Sequence, residues 1–388
     1  MATDLKPTVA ILSIGDMGAG IARLLVAKGF RIVTDVTGRS QDTISRAQSA
    51  GVDLLPLSDI VVQAQTILSI VPPSDAKSTA HSVLSALLSA PQTRDEPLVY
   101  VDLNAVSPSS ARALDESFAP HSGVVKFVDG AIIGGPPSLP DSGPGEEWPI
   151  PQIPTSGPTH LPEVLASALG SYHISQQIGS ASGLKMCFAS LTKGFTAIAI
   201  QAFTTAQRLG VMEHLMCAVE TTIPGMKGRV ERGITGMPPK AYRWVREMEE
   251  IAATHKEDGG FGVWAGRGKG GRGEGGEEPR ENDGEGEVKG EGKRERDGER
   301  KMNRAVPGEG KGKRKAGGAD MFTGAARTFE LVAHGTVLGE EKVGRRKRGR
   351  TVEDVARAVA EGLEALEVEG SGRGKRMRVE DEEKDDGE

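Results

Sequence analysis

Along the first 130 residues, short apolar runs alternate with longer stretches of helical spacing. The run Val9-Ala10-Ile11-Leu12 meets a turn holding Gly15 and Gly18, after which Ile21 to Lys28 has helical spacing and stops at Gly29. Arg31 to Val36 reads as a second buried strand, closed by the turn Thr37-Gly38-Arg39-Ser40. A polar helix from Asp42 to Ala50, a short strand at Val52 to Leu55 and a short helix at Asp59 to Ala64 come next. Thr66 to Val71 is a strongly apolar strand ended by Pro72-Pro73, and Ser74 to Leu88 is helical. Leu98 to Leu103 and Val124 to Asp129 are further strands, with a helix ending near Phe118 between them. Strands alternating with helices at this spacing predict a parallel, doubly wound α/β sheet. Ligands of such sheets sit at the C-terminal ends of the strands. Here those ends are Ser13 to Gly18, Thr37 to Ser40, Val71 to Pro73, and Asn104.

The pattern then changes. Pro136 to Pro158 is rich in Pro, Gly and Ser and reads as a long surface loop, with Ile153 to Ser156 as an edge strand. Gly179 to Gly183 opens a helical pattern through Leu209 that is small and apolar on several faces, the mark of a buried helix between domains. Met212 to Thr222 and Lys240 to Thr254 continue in helical spacing, with Trp244, Met248 and Ile251 on one face. Structured spacing returns at Ala319-Asp320-Met321-Phe322 and continues as helices through Thr328 to Val332 and Val352 to Leu366. Between them, Gly262 to Gly317 is dominated by Gly, Glu, Arg and Lys and is too poor in apolar residues to offset the entropy of ordering. The expected organisation is an α/β domain over 1–178 and an all-α C-terminal domain over 179–260 and 318–366. A disordered low-complexity insertion is expected over 261–317 and a disordered charged tail over 367–388.

Composition narrows the class. The 52 glycines among 388 residues are unevenly spread and densest in the insertion, so the excess marks a biased segment rather than a loose core. A net charge of -6 gives no global basic bias toward nucleic acid. Two cysteines, Cys187 and Cys217, fit a reducing compartment rather than a disulfide framework. The first residues carry no signal-peptide core, and no apolar run reaches the ~18 residues of a membrane span. The expectation is a cytoplasmic protein without a membrane partner. The basic patches Gly344 to Arg350 and Lys375 to Arg378 read as a solvated loop and tail, and are the features that would otherwise argue for the nucleus. The insertion reads as a retained or mis-spliced segment; its rival reading is an RGG-like arm with weak RNA affinity, diluted by its glutamates. His173, His214 and Cys187 have no metal-like spacing and read as structural, so no metal is expected.

A strand, a glycine turn and a helix present backbone N–H groups and a helix N-terminus to a pyrophosphate. Ser13, Ile14, Gly15, Asp16, Met17 and Gly18 are the candidates for that role, with Met17 filling the space under the turn. Ser13 stands where a first glycine is usual, at a cost if that position needs positive φ. Two residues compete for the adenosine ribose. Arg39 would grip a 2′-phosphate and favour NADP, whereas Asp35, about 20 residues past the turn, would hydrogen-bond a ribose hydroxyl and favour NAD. The placement of Asp35 inside the strand tips the reading to NADP. Asn104 reads either as a carboxamide or ribose contact or as a helix N-cap.

Five stretches in chain order carry a family likeness: S-I-G-D-M-G-A-G-I-A, S-I-V-P-P-S-D-A, D-L-N-A-V-S-P, D-G-A-I-I-G-G and G-L-K-M-C-F-A-S-L-T-K-G. Together with K-A-Y-R-W-V-R-E-M-E-E-I-A they resemble the β-hydroxyacid dehydrogenase superfamily of 3-hydroxyisobutyrate and 6-phosphogluconate dehydrogenases, over roughly 8–258 and 318–366. More narrowly, the chain resembles the branch that joins a 6-phosphogluconate-dehydrogenase-type NAD(P)-binding Rossmann domain to a DUF1932-type C-terminal domain. The resemblance implies a homodimeric NAD(P)-dependent oxidoreductase acting on a small hydroxy acid or a related keto or imine compound. It implies that Val71, Pro72 and Asn104 flank the nicotinamide and that Ile133, Gly134 and Gly135 meet the substrate. Lys185 is implied as the general acid/base, and Lys193, eight positions on, as a contact for an anionic substrate group. Departures from the family pattern are Ile133 for a serine, Ala189 for an asparagine, and the apparent loss of a late Lys-Asp pair where Glu247 to Glu250 now stand. They suggest a pocket less polar than in the named relatives. They also leave room for a dinucleotide-binding protein that has lost turnover.

Overall fold

Side-chain alternation decides how the first strand is buried. Val9 and Ile11 pack with Ile21, Leu25 and Leu165 on one face, while Ala10 and Leu12 pack with Ile60, Val83 and Phe118 on the other. A strand apolar on both faces needs helices on both sides, and this is what the chain supplies. The computed structural model describes residues 7–91, 94–138, 148–261 and 320–382. Its strands are β1 (Thr8–Leu12), β2 (Arg31–Thr34), β3 (Asp53–Leu54), β4 (Thr66–Ser69), β5 (Leu98–Asp102), β6 (Val125–Gly130), β7 (Ile153–Ser156) and β8 (Ser171–Ser175). They form one sheet in the order β3-β2-β1-β4-β5-β6-β7-β8. Pairing is parallel from β3 to β6, β7 runs antiparallel to β6, and β8 runs parallel to β7.

Helices α1 (Asp16–Ala27), α2 (Gln41–Ser49) and α6 (Glu163–Leu169) cover one face; α3 (Leu57–Gln63), α4 (Ala76–Ser89) and α5 (Pro108–Phe118) cover the other. On the second face Tyr100, Phe118 and Phe127 stack with centroids 4.9–6.2 Å apart. The doubly wound architecture is thus as the pattern predicts, although α6 and β8 were not foreseen. α6 is only seven residues long, and β8 is a half-exposed edge strand, S-Y-H-I-S, without a buried alternation.

The helical C-terminal region begins with α7 (Ser180–Ala189), a π turn (Ser190–Gly194) and α8 (Phe195–Arg208), one continuous rod. By length and apolarity this rod could cross a membrane, contrary to the expectation that no such run exists; half of its most apolar window is buried inside the protein. It packs with α9 (Met212–Thr222), α10 (Met226–Gly236), α11 (Ala241–Glu257), α12 (Asp320–His334) and α13 (Val352–Glu382). Their shared core includes Met186, Ile200, Phe203, Ile234, Met248, Ile251, Phe329 and Val355. Trp244 meets Phe329 edge-on at 5.2 Å, joining α11 to α12 across the low-complexity stretch. That stretch lies outside the described residues, so the expected disorder of 261–317 falls there.

α12 starts at Asp320, where structured spacing is expected to resume, and buries Ala325 and Ala326. One boundary differs from expectation. The charged tail is helical to Glu382 rather than disordered from 367, since Glu, Lys and Arg are good helix formers and the helix is already nucleated by Val352 to Ala360.

Candidate active site

The site begins at the turn after β1. Ser13 adopts φ +76°, the left-handed region that a glycine would take without strain. A Cβ on Gly18 would lie 2.1 Å from the Ser13 carbonyl oxygen, so the turn closes only over a glycine there, whereas Gly15 faces open space. Asp16, Met17 and Gly18 form the first turn of α1, with their backbone N–H groups at its N-terminus. Met17 packs on the core beneath them. Arg46 of α2, which the sequence reading missed, donates to the Ile14 carbonyl oxygen at 2.9 Å and fastens the turn from the side.

Asp35 and Arg39 part company. The Asp35 carboxylate accepts from the Thr37 N–H (2.7 Å) and the Leu57 N–H (3.0 Å), so both of its oxygens hold backbone. The Arg39 side chain is exposed and unpartnered among the described residues, outside the cleft described below. Asn104 is buried and does not cap a helix; Ser107 caps α5, accepting from the Ser110 N–H. The Asn104 amide instead accepts from the Val71 N–H (2.7 Å) and donates to Ser69 Oγ (3.0 Å), locking the loop after β4 to the end of β5. Its own N–H donates to Asp102, whose carboxyl burial pushes up to about 7.

One carboxylate joins the sheet to the helical region. Asp129, fully buried on β6, accepts from the N–H groups of Gly179 (2.9 Å), Ala181 (3.2 Å) and Ser182 (3.3 Å) and from the hydroxyls of Ser156 and Ser182. A carboxylate on the first N–H groups of a helix is stabilised by the helix dipole. This anchorage aims α7 across the strand ends and delivers Lys185, whose ammonium donates to the Ile132 carbonyl oxygen at 2.8 Å. Burial pulls Lys185 down to about 8; the nearby cations Lys193 and Arg243 act in the same direction and Glu247 opposes them. Eight residues of α-helix would leave Lys193 ~80° past two full turns. The π turn winds fewer degrees per residue and takes most of that excess back, so Lys193 returns to the face of Lys185. Lys193 pairs with buried Glu247 of α11 and lies 4.9 Å from the centroid of the Trp244 ring. Burial alone would raise the Glu247 carboxyl, but Lys193 and Lys185 hold it below the usual range. Glu247 thus forms an ion pair with Lys193 in the region where the late Lys-Asp pair looks absent.

These pieces enclose a cleft of about 940 Å³ between the strand ends and the helices. Ser13, Gly15 to Gly18, Val71, Pro72 and Asn104 line one wall, and Gly134, Gly135, Lys185 and Lys193 line the other. Three expected site residues are not in its wall. Ile14 is buried under the turn, Arg39 lies off the cleft, and Ile133 pairs its backbone with Gln152. Residues that sequence reasoning passed over line it too: Arg229 and Arg232 of α10, with Lys240, Arg243 and Trp244. Their signal was two basic pairs at i, i+3 spacing, each on one helical face. The cleft is therefore cationic, where Ile133 and Ala189 alone had suggested a less polar pocket.

Residues 8–92 match the family described as NADP oxidoreductase, coenzyme F420-dependent, and residues 206–272 match a domain of unknown function, DUF1932. An uncharacterized 28.5 kDa protein of Methanothermus fervidus is 26% identical over 259 residues, covering 63% of this chain and 92% of the relative. A conserved hypothetical protein of Sinorhizobium meliloti 1021 has a similar solved structure, with a TM-score of 0.51 at 22% identity over 92% of this chain and 97% of that one. The structure of a Mycobacterium tuberculosis 3-hydroxyisobutyrate dehydrogenase with L-serine aligns over 66% of this chain and 88% of its own, at 17% identity and a TM-score of 0.47. The NADP-oxidoreductase match thus falls on the Rossmann-like sheet and the DUF1932 match on the helical C-terminal region.

Proposed function

We propose that this protein is an NAD(P)-dependent oxidoreductase of the β-hydroxyacid dehydrogenase type, acting on a small hydroxy acid or the related keto or imine compound. The observation that carries the reading is Lys185, a part-buried amine drawn to about 8 inside a cleft that also holds a glycine turn. The turn fits a dinucleotide: the space at Gly15 and the Gly18 backbone, which no Cβ could share with Ser13, leave the N–H groups of α1 open to a diphosphate. When bound, a nicotinamide dinucleotide supplies the hydride acceptor or donor.

The chain's own residues supply the rest. Lys185 takes the proton of the substrate hydroxyl in oxidation and returns one in reduction, as an amine titrating near neutrality does well. Ile132 orients it through its carbonyl oxygen, and Glu247 sets its charge environment. Asn104 holds the Val71-Pro72 loop in place beside the cleft. The engagement of both Asp35 oxygens by backbone, with Arg39 free to meet a 2′-phosphate, favours NADP over NAD. A homodimeric, cytoplasmic enzyme is part of the same reading.

Titration of the purified protein with NADPH and NADH, followed by cofactor fluorescence, tests it. NADPH should bind about tenfold or more tighter than NADH, a preference that Arg39→Ala removes. No binding of either would overturn the proposal, and a preference for NADH would return the ribose contact to Asp35.

A further inference from the structure

The cleft holds more positive charge than the proposed chemistry uses. Of its charged lining residues, Lys185, Lys193, Arg229, Arg232, Lys240 and Arg243 are basic, and only Asp16 and Glu247 are acidic. Lys193 takes up Glu247. Arg229 donates to the Leu191 carbonyl oxygen at 2.8 Å and lies 4.7 Å from the Phe195 ring centroid. Arg232, Lys240 and Arg243 form no close ion pair among the described residues, although Asp16 acts on Lys240 and Arg243 shares the field of Glu247 with two lysines.

A further cation backs them. Arg346 belongs to the basic run Gly344 to Arg350, and its Nε and Nη2 are buried without an acceptor. A Cβ on Gly349 would lie 3.3 Å from Arg346 Nη2 and 3.4 Å from Pro238, in the turn that ends at Lys240. The run therefore folds against the cleft's basic wall, and Val343, just before it, lines the cleft. Burial and then Arg243 push the Lys240 ammonium down, with Lys193 and Arg346 acting the same way and Asp16 opposing. Six cations against two carboxylates leave the cleft with excess positive charge, which a multiply charged anion relieves most where Lys240 is part-buried.

We infer that the substrate is a small hydroxy or oxo acid bearing a second anionic group, a carboxylate or a phosphate, which Arg232, Lys240 and Arg243 hold. This rests on the reading that the reacting carbon lies at Lys185. It also accounts for Ile133 and Ala189: where hydroxyl and amide contacts are missing, charge from α10 and α11 takes over recognition. The spacing supports the assignment, because Arg229 and Arg232 lie one turn apart on α10, and Lys240, at the end of the turn before α11, is followed by Arg243 in the first turn of that helix.

The test is calorimetric titration of the full-length protein with lactate, malate and phosphoglycerate, a monoanion, a dicarboxylate and a phosphorylated acid. Malate or phosphoglycerate should bind about tenfold or more tightly than lactate, and Arg243→Met or Lys240→Met should each remove about tenfold of that advantage. The tighter of the two probes identifies the second group. NADPH affinity should stay within about twofold in both variants. Circular dichroism checks their folding, and Arg232→Met, at an exposed position, replaces a variant that fails it. Equal binding of all three probes, or binding of none, overturns the inference. So does a loss of NADPH affinity in variants that keep the dianion preference, which would assign these cations to the dinucleotide. If the wild type binds no NADPH yet prefers dianions, the oxidoreductase reading falls while the anion site stands.

Discussion

The two walls of the cleft are built from different materials. On the sheet side the contacts are backbone: the Ser13 turn, the N–H groups of α1, and a Val71 loop pinned by Asn104. On the helical side they are long side chains, Lys185, Lys193, Arg232, Lys240 and Arg243, delivered from three separate helices and a short turn. A backbone site depends on a few glycines and tolerates most side chains around it. A side-chain site depends on the packing of every helix that carries a member. The sheet wall should therefore survive changes that disable the helical wall.

Lys185→Ala is the largest test of that asymmetry. Turnover on an accepted hydroxy acid should fall ~10²–10⁴-fold, with NADPH affinity preserved. In the wild type, oxidation should speed up as pH rises through about 8, where the amine becomes neutral, and the reverse reaction should slow over the same range. Unchanged turnover in the variant would remove Lys185 from the chemistry.

Phe329→Ala strikes the helical side through its core. Phe329 is fully buried against Trp244, and its truncation should cost about 3–5 kcal/mol in denaturant unfolding. Anion binding should weaken well before dinucleotide binding does. Equal loss of both would show that the two walls are one cooperative unit.

Asp102→Asn addresses the sheet side. The folded-state carboxyl lies near 7 against an ordinary 3.8, so the folded protein keeps a proton that the unfolded chain releases. Its contribution is complete below the ordinary value and is lost as pH rises through about 7, a slope worth on the order of a few kcal/mol. The amide keeps an acceptor for the Asn104 N–H, so the variant should flatten the slope without freeing the Val71 loop. Thermal unfolding at pH 5 and pH 8 measures it.

Ser13→Gly should have the smallest effect, a gain of ~1 kcal/mol from relief of the left-handed serine. NADPH binding should be unchanged, as expected of a site made by backbone.

The same division explains what could be read from the sequence. The alternation of strands and helices and the glycine turn follow from local signals, since strand, turn and helix are contiguous there, whereas Lys185 was legible only through the family likeness. Arg46 was missed because its partner, the Ile14 carbonyl oxygen, is a backbone atom that no motif names. Glu247 was missed because its meaning lies in a partner 54 positions away, Lys193. The basic run at Gly344 to Arg350 read as a solvated patch, yet Glu341 accepts from two of its backbone N–H groups and Arg348 pairs with Asp354. β8 and α6 were hidden by brevity and by an exposed, unpatterned edge.

The π turn at Ser190–Gly194 also bears on how such a site can change over descent. A π turn amounts to a surplus residue lodged in an α-helix. The relation of Lys193 to Lys185 is thus set by chain length as well as residue type. Deleting Thr192 would straighten the rod and leave the two lysines seven residues apart, ~20° short of two full turns, so the second lysine would stay on the cleft face. A helix with the surplus residue and one without it thus present the same pair, and length within 190–194 is the trait to compare before any residue is aligned with Lys193.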